Sequence, residues 1–237
     1  MLALTIEGLE LTYPGLAAPV LDIPGLTVAA GAHVALTGAS GSGKTSLVNV
    51  ITGMERAGRG RILWNGEDIA LLSENRRDGW RLAHVGLVMQ EFHLFPGLSA
   101  EANVLLPHRL SRLSLEPGMR RRALDLLERV GIERPGQPVE TMSRGQMQRV
   151  AVARALVGRP GVVVADEPTA SLDREAGAAV SDLLLELARE TGATLIAASH
   201  DERLIGRLDR VVRLENGRIA GEAAVHPGEG TKVAAAL

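Results

Sequence analysis

The sequence contains no cysteine, which excludes disulfide bonds, cysteine metal sites and thiol nucleophiles. It also lacks an apolar run of about 18 residues, and no basic region followed by an apolar stretch opens it, so we expect neither a membrane span nor a leader peptide. The chain also has no large excess of positive or negative charge, since its formal net charge is -2. Nucleic acid is therefore not expected as a partner. These absences favour a cytoplasmic protein.

Apolar side chains, by contrast, make up 46% of the 237 residues, which is enough to fill a sizeable core. This length suits one large domain, or a core that carries an inserted subdomain. The arginine runs at 76–77 and 120–122 are expected to lie on solvated faces. Composition therefore predicts a folded globular chain.

Residues 38–45 read GASGSGKT and match the pattern G-x-x-x-x-G-K-S/T. An apolar strand pattern at 31–37 precedes them and a helical pattern at 44–51 follows, so the glycines lie where a strand turns sharply into a helix. Gly38, Gly41 and Gly43 can adopt backbone angles closed to other residues, which turns successive N–H groups toward a β-phosphate. A Gly-Ser stretch with a lysine also forms ordinary flexible turns. The strand, the motif and the helix together indicate a site for ATP or GTP.

Within that site, Lys44 is expected to reach the β- and γ-phosphates, and the Thr45 hydroxyl is expected to ligate Mg²⁺. The rest of the predicted phosphate-binding loop consists of Ala39, Ser40, Ser42 and Ser46.

A second motif, VVVADE, ends a buried strand in Asp166 and Glu167. Adjacent side chains on a strand point in different directions, so the two carboxylates can take different tasks. Asp166 is expected to hold Mg²⁺ through its water shell, and Glu167 to polarise the water that attacks the γ-phosphate. Alone, such a pair is more often a helix cap or a solvated turn. Its position downstream of a phosphate loop favours the catalytic interpretation.

The remaining patterns predict an α/β fold. Alternating apolar residues within 1–37 predict antiparallel strands, and a short strand at 61–64 turns at 65–66. Helical patterns fill 97–158, including an amphipathic segment at 121–130. Strands at 162–165 and 194–198 flank a helix at 175–189, as in a parallel βαβ unit, and a hairpin at 211–219 follows. We predict a single domain with a nucleotide-binding core at 1–90 and 159–222, a helical subdomain at 91–158, and a disordered tail at 223–237.

Together, these motifs resemble the ATP-binding subunit of an ABC transporter over nearly the whole chain. Besides GASGSGKT and VVVADE, the matches are Gln90 after VGLVM, MSRGQ at 142–146, SLD at 171–173, and His200, in the family's order and spacing. The resemblance implies a P-loop NTPase core with a parallel sheet, an N-terminal antiparallel β subdomain and an inserted helical subdomain. It also implies hydrolysis of ATP with Mg²⁺.

The MSRGQ segment resembles the family's signature sequence LSGGQ. Ser143 and Gln146 match the S-x-x-Q capping box that starts a helix. An ordinary helix cap would account for the same residues without any role at a nucleotide. The resemblance implies that Ser143, Gly145 and Gln146 meet the γ-phosphate held by a second copy in a head-to-tail dimer. Arg144 stands where the family usually has glycine, so its long cation must point away from the phosphate or add charge to it.

Four single residues acquire roles only through the resemblance. Tyr13 is similar to the aromatic that stacks on adenine, Gln90 to a Mg²⁺ ligand that senses the γ-phosphate, and His200 to a contact with that phosphate. Asp173 is assigned to communication between subunits. By themselves, a tyrosine that ends a strand, a polar loop residue and a histidine at a strand end have no such implication.

Phe92, Leu94 and Phe95 follow Gln90 as an apolar group that suits a protein partner, although they could equally be core residues. In the family, this surface receives a short helix from the membrane subunit. The local sequence, which ends in Asn-Val-x-x-Pro at Pro107, is most similar to lipoprotein-releasing and macrolide-export ATPases and to a related cell-division ATPase.

We therefore expect an ATPase subunit that lies on the inner face of the cell membrane and powers a separate permease, an exporter or mechanotransmission complex for lipoprotein, peptide or drug. The alternative is an ATPase of the cell-division type, which regulates a membrane protein without transport. A DNA-repair or translation ATPase of the same superfamily is less favoured, because the chain has one cassette with short linkers.

Overall fold

The computed structural model describes residues 1–111 and 114–225. Its strands are β1 (Leu4–Leu11), β2 (Leu21–Val28), β3 (His33–Thr37), β4 (Arg59–Trp64), β5 (Glu67–Asp68), β6 (Val85–Val88), β7 (Val162–Asp166), β8 (Thr194–Ala198), β9 (Arg210–Glu215) and β10 (Arg218–Ala224). Its helices are α1 (Lys44–Ile51), α2 (Glu74–His84), α3 (Ala100–Ser111), α4 (Met119–Arg129), α5 (Arg144–Leu156), α6 (Arg174–Thr191) and α7 (Glu202–Ile205).

The strands form two sheets. The first has the order β2-β1-β4-β5 and is antiparallel throughout. The second has the order β10-β9-β3-β8-β7-β6, in which β9, β3, β8, β7 and β6 run parallel and β10 pairs antiparallel with β9. The α/β fold class is thus confirmed. Within 1–37, only β1 and β2 are the expected antiparallel pair, because β3 crosses into the parallel sheet.

The core lies on both faces of the parallel sheet, as alternation along β7 illustrates. Val162 and Val164 pack with the antiparallel sheet and α1, whereas Val163 and Ala165 pack with the helices on the opposite face. All four side chains are buried because a parallel sheet is covered on both sides. This double cover fixes the carboxyl ends of β3, β7 and β8 at one edge of the sheet, where ligands bind in such folds.

Helix α2 was not predicted from the sequence, since its residues are mostly polar and the run at 76–77 was assigned to solvent. Arg76 is exposed, but Arg77 is buried, so the expectation was wrong for one of the two. The stem of Arg77 packs close to Gly53, an example of a cation whose carbon chain serves the core. In the run at 120–122, Arg122 is half-buried, whereas Arg120 and Arg121 are exposed.

Helices α3, α4 and α5 occupy the predicted helical segment, whose status as a subdomain stays a prediction. Asn103, the first letter of Asn-Val-x-x-Pro, is fully buried on α3. Its Oδ1 accepts a hydrogen bond from the Phe95 amide at 2.7 Å, and its Nδ2 donates to the carbonyls of Phe95 at 3.2 Å and Ser99 at 3.1 Å. The motif therefore fixes the loop between Gln90 and α3.

Two further expectations concern the C-terminal tail and a membrane span. Residues 226–237 of the predicted tail lie outside the described residues, whereas Ala223 and Ala224, also assigned to that tail, pair with β9 and extend β10. In the part of the chain that the structure describes, no helix has the length and apolar character needed to cross a bilayer.

Candidate functional site

The phosphate-loop motif forms a tight turn between β3 and α1. Gly38, Gly41 and Gly43 have φ values of 145°, 78° and 104°, all in the region that favours glycine. A Cβ on Gly38 would lie 2.3 Å from the Leu214 carbonyl oxygen and 2.6 Å from Ser42 Oγ, so this position tolerates glycine alone. The predicted conformation is thus present, and it directs the loop toward the N-terminus of α1.

Lys44 lies at the first position of α1 and reaches back over this loop. Its Nζ donates to the carbonyl of Gly38 at 2.8 Å and to that of Ala39 at 3.1 Å. A lysine ammonium has three donors and no acceptor, so it is positioned to neutralise anionic oxygens at the same place.

The two predicted carboxylates end β7 beside the loop. Asp166 is buried, and burial raises the pKa of its carboxyl group, an effect opposed by a hydrogen bond from Thr45 and increased by the neighbouring Glu167. Its Oδ1 has no hydrogen-bond partner among the described residues. A buried carboxylate oxygen without a donor is suited to hold a cation or its hydration shell.

Glu167 adopts a φ of 47°, which is rare outside glycine, and its amide donates to the Ala198 carbonyl at 2.8 Å. Such a backbone costs about 1–3 kcal/mol and is typical of functional sites. His200 follows β8, and its Nδ1 lies 2.8 Å from Glu167 Oε2, at ion-pair distance though without hydrogen-bond geometry. The predicted base and the predicted phosphate contact are therefore direct neighbours.

These groups line one pocket of about 680 Å³. Its predicted members are Gly38, Ala39, Ser40, Gly41, Gly43, Lys44, Thr45, Ser46, Gln90, Asp166, Glu167 and His200. Ser42, the remaining residue of the loop, is buried and is not among them. Val20 and Ala170 also line the pocket. Neither was predicted, because an apolar loop residue before β2 and an alanine after Glu167 give no signal of ligand contact in the sequence.

Tyr13 is not among the residues that line this pocket. Its hydroxyl donates to Glu55 Oε2 at 2.7 Å, and this bond, together with burial, raises the pKa of the phenol. The phenol also bonds to Ser46, which does line the pocket, so Tyr13 lies beside the site. Its stacking on adenine stays a prediction.

The signature segment lies elsewhere, at the start of α5. The predicted capping box is confirmed: Ser143 Oγ accepts from the Gln146 amide at 3.2 Å, and the Ser143 amide donates to Gln146 Oε1 at 2.9 Å. Ser143 and Gly145 line a different pocket of about 560 Å³, together with Asp173 at the start of α6. One copy of the chain thus does not bring the signature segment to its own phosphate loop.

The segment after Gln90 differs in part from expectation. For Phe92 the core alternative holds, because only 7% of its surface is exposed and the Arg144 guanidinium lies over its ring. Leu94 is half-buried, and Phe95 remains 54% exposed. Beside this segment, a groove of about 820 Å³ runs between α2 and α3, with Met89, Leu82, His93, Pro107 and Leu110 among its lining residues.

Comparison with known proteins gives consistent results. The family model described as ABC transporter matches residues 21–170. The lipoprotein-releasing system ATP-binding protein LolD 1 of Rhodopseudomonas palustris is 42% identical over 197 residues, covering 83% of this chain and 87% of that protein. LolD 1 of Caulobacter vibrioides is 43% identical over 195 residues, covering 82% and 83%. A solved dimeric structure of the ATP-binding cassette MJ0796, in a post-hydrolysis state with ADP and Pi, is similar with a TM-score of 0.85 and 29% identity, covering 94% of this chain and 99% of that one.

Proposed function

Since the chain belongs to the ABC transporter family, as an ATP-binding subunit that hydrolyses ATP, we propose that two copies close head to tail on two ATP molecules and thereby drive a separate membrane permease. The alternative of a regulator without transport is not favoured, because the relatives include proteins named for a lipoprotein-releasing system.

One observation carries the proposal: the groups needed at a γ-phosphate are divided between two surfaces of the chain. The 680 Å³ pocket collects the phosphate loop, the carboxylates and His200, whereas Ser143 and Gly145 line another pocket. A second copy is needed to complete the site. The dimeric arrangement of the similar MJ0796 cassette supports this assembly.

In the proposed reaction, water attacks the γ-phosphorus of ATP, the bond to the bridging oxygen of ADP breaks, and phosphate leaves. Lys44 and the loop amides offset the charge of the phosphate oxygens. Glu167 accepts the proton of the attacking water, and His200, whose Nδ1 lies 2.8 Å from Glu167 Oε2, contacts the γ-phosphate. Ser143 and Gly145 of the other copy cover the phosphate and exclude bulk water.

The donor set at the loop fits Mg²⁺, which prefers hard oxygen ligands. Thr45, Asp166 and Gln90 all line this pocket, a hydrogen bond from Thr45 opposes the rise in the pKa of Asp166, and Asp166 Oδ1 has no hydrogen-bond partner among the described residues. These three residues would hold the ion with the phosphates. When bound, Mg²⁺ would neutralise charge on the β- and γ-phosphate oxygens.

The proposed partner surface is the exposed Phe95 together with the groove between α2 and α3. An open apolar groove beside the Gln90 segment is suited to a short helix of a membrane subunit, so that movement at the γ-phosphate is passed to the permease. By analogy with the lipoprotein-releasing relatives, we propose a lipoprotein or another lipid-linked cargo and a position on the inner face of the membrane.

Glu167→Gln tests the proposal. The amide keeps the shape of the side chain but cannot accept the proton, so the variant should bind ATP and form a stable dimer while hydrolysis falls by about 100-fold or more. Light scattering during size-exclusion chromatography with and without MgATP measures the dimer, and phosphate release measures hydrolysis.

Glu202→Gln, at an exposed position on α7, is the matched control and should behave as the unaltered protein. If Glu167→Gln hydrolysed ATP at the normal rate, the assigned base would be incorrect. If it stayed monomeric with saturating MgATP, the dimeric site would be refuted.

A further inference from the structure

Arg144 makes two contacts that a glycine at this position would not make. Its Nε donates to the Ser171 carbonyl at 2.9 Å, and its guanidinium carbon lies 5.0 Å from the centre of the Phe92 ring. The side chain is therefore held in place although the residue is exposed. Arg144 thus contacts its own chain, and it lines the same pocket as Ser143 and Gly145.

These contacts join two segments that carry groups of the proposed site. Ser171 lies between Glu167 and Asp173, and Phe92 is two residues beyond Gln90. The two segments also touch each other, because Ser171 Oγ donates to the Gln90 carbonyl at 3.4 Å. The Arg144 guanidinium thus contacts both segments, close in sequence to Gln90 and Glu167, which are proposed to act at the γ-phosphate.

Helix α5 is attached to the same segments farther along its length. Gln148 Nε2 donates to the carbonyls of Met89 at 3.3 Å and Pro168 at 2.7 Å. Arg154 donates to the carbonyls of Phe92 at 2.8 Å and His93 at 2.6 Å. Arg144 is the contact nearest to Ser143, so it extends this attachment to the end of the helix that meets the partner's ATP.

We propose that Arg144 is a positioning residue that holds the signature end of α5 in register with the Gln90 and Ser171 segments. A shift of either segment at the γ-phosphate then moves Ser143 and Gly145 of the same copy, which contribute to the ATP site of the other copy. This inference rests on the proposed function for the role of Ser143 in the partner's site. The contacts of Arg144 themselves lie within one copy.

Arg144→Gly tests the inference, and Arg174→Gly is the matched control. Arg174 is likewise the first residue of a helix and exposed, and the structure shows no side-chain hydrogen bond or ion pair for it. In the isolated chain, hydrogen exchange should become faster in Arg144→Gly at 90–95 and 169–173, while affinity for a fluorescent ATP analogue stays the same because Arg144 does not line the phosphate pocket.

In steady-state hydrolysis, Arg144→Gly should lower kcat by about tenfold with little change in KM, from the loss of a cation–π contact and a charge-assisted hydrogen bond. Arg144→Lys should recover part of this loss, because lysine can donate to the Ser171 carbonyl but has no flat face for the Phe92 ring. Arg174→Gly should leave both exchange and kcat unchanged.

The outcomes separate the two proposals. Unchanged exchange at both segments in Arg144→Gly would overturn the positioning role, whatever happens to kcat. Faster exchange with normal kcat would also overturn it, because the contact would then be structural alone. A failure of Glu167→Gln to dimerise would refute the dimeric site and, with it, the transmission to Ser143, even if the exchange result is as expected.

Discussion

The hairpin between β9 and β10 contacts the phosphate loop through Gly217 at its turn. Substitution of Gly217 tests whether this contact shapes the loop. The Gly217 amide donates to the Ser42 carbonyl at 2.9 Å, and its carbonyl accepts from the Asp22 amide at 2.9 Å. Its φ is 77°, and an added Cβ would lie 2.1 Å from the Val20 carbonyl oxygen. Gly217→Ala should therefore disturb Ser42 and Val20 together.

The expected loss in the free energy of unfolding of Gly217→Ala has two parts. A residue with a Cβ in the left-handed region costs about 1–2 kcal/mol. The collision with Val20 requires a backbone shift of the kind that overpacking causes, which costs about 1–3 kcal/mol. The sum of about 2–5 kcal/mol corresponds to a decrease in Tm of about 4–20 °C, at about 2–4 °C per kcal/mol for a chain of this length.

Gly66→Ala separates the two parts. Gly66 also follows an asparagine with a φ of 48° in a hairpin turn and has a φ of 85°, but an added Cβ there meets no atom within 4 Å. This variant should lose only the backbone part, about 1–2 kcal/mol, and should keep its nucleotide affinity.

Calorimetric unfolding of both variants measures the difference in Tm, and titration with a fluorescent ATP analogue measures affinity. Gly217→Ala should have the lower Tm and the weaker binding. Equal Tm values and equal affinities in the two variants would refute the argument that the hairpin turn shapes the phosphate loop.

Three other predictions follow from single side chains. Lys44→Ala should weaken ATP binding by about 10- to 100-fold through loss of charge-assisted contacts, and unchanged binding in the same titration would contradict the phosphate-loop assignment. Burial lowers the pKa of His33 below its usual 6.5, so that, as pH decreases, the imidazole is protonated in the unfolded chain before it is protonated in the folded chain. Stability should therefore fall as pH decreases through 6.5 toward the pKa of the folded state. Tm measured from pH 8 to 5 should decrease less in His33→Gln than in the unaltered protein, and an identical decrease would be inconsistent with this cause. Phe95→Ser should reduce copurification with the membrane partner in mild detergent while ATPase activity of the isolated chain is kept, and full recovery of the complex would exclude this surface.

Much of the architecture could be predicted from local patterns. Alternation predicted β1 and β2, the Asn-Gly pairs predicted both hairpins, and S-x-x-Q predicted the start of α5, because each of these depends on residues close together in the chain. Helix α2 was missed, since its two buried side chains, Arg77 and Trp80, leave no continuous apolar face to detect.

The sequence by itself determined the family and the order of the chemical groups, since a phosphate loop and a strand that ends in Asp166 and Glu167 are contiguous motifs. The tertiary structure alone decided that Phe92 is covered, that Val20 lines the pocket, and that Arg144 reaches the Ser171 carbonyl. Each of these contacts joins residues distant in sequence, and a distance between two segments is set by how the sheet and helices pack, which no local pattern contains.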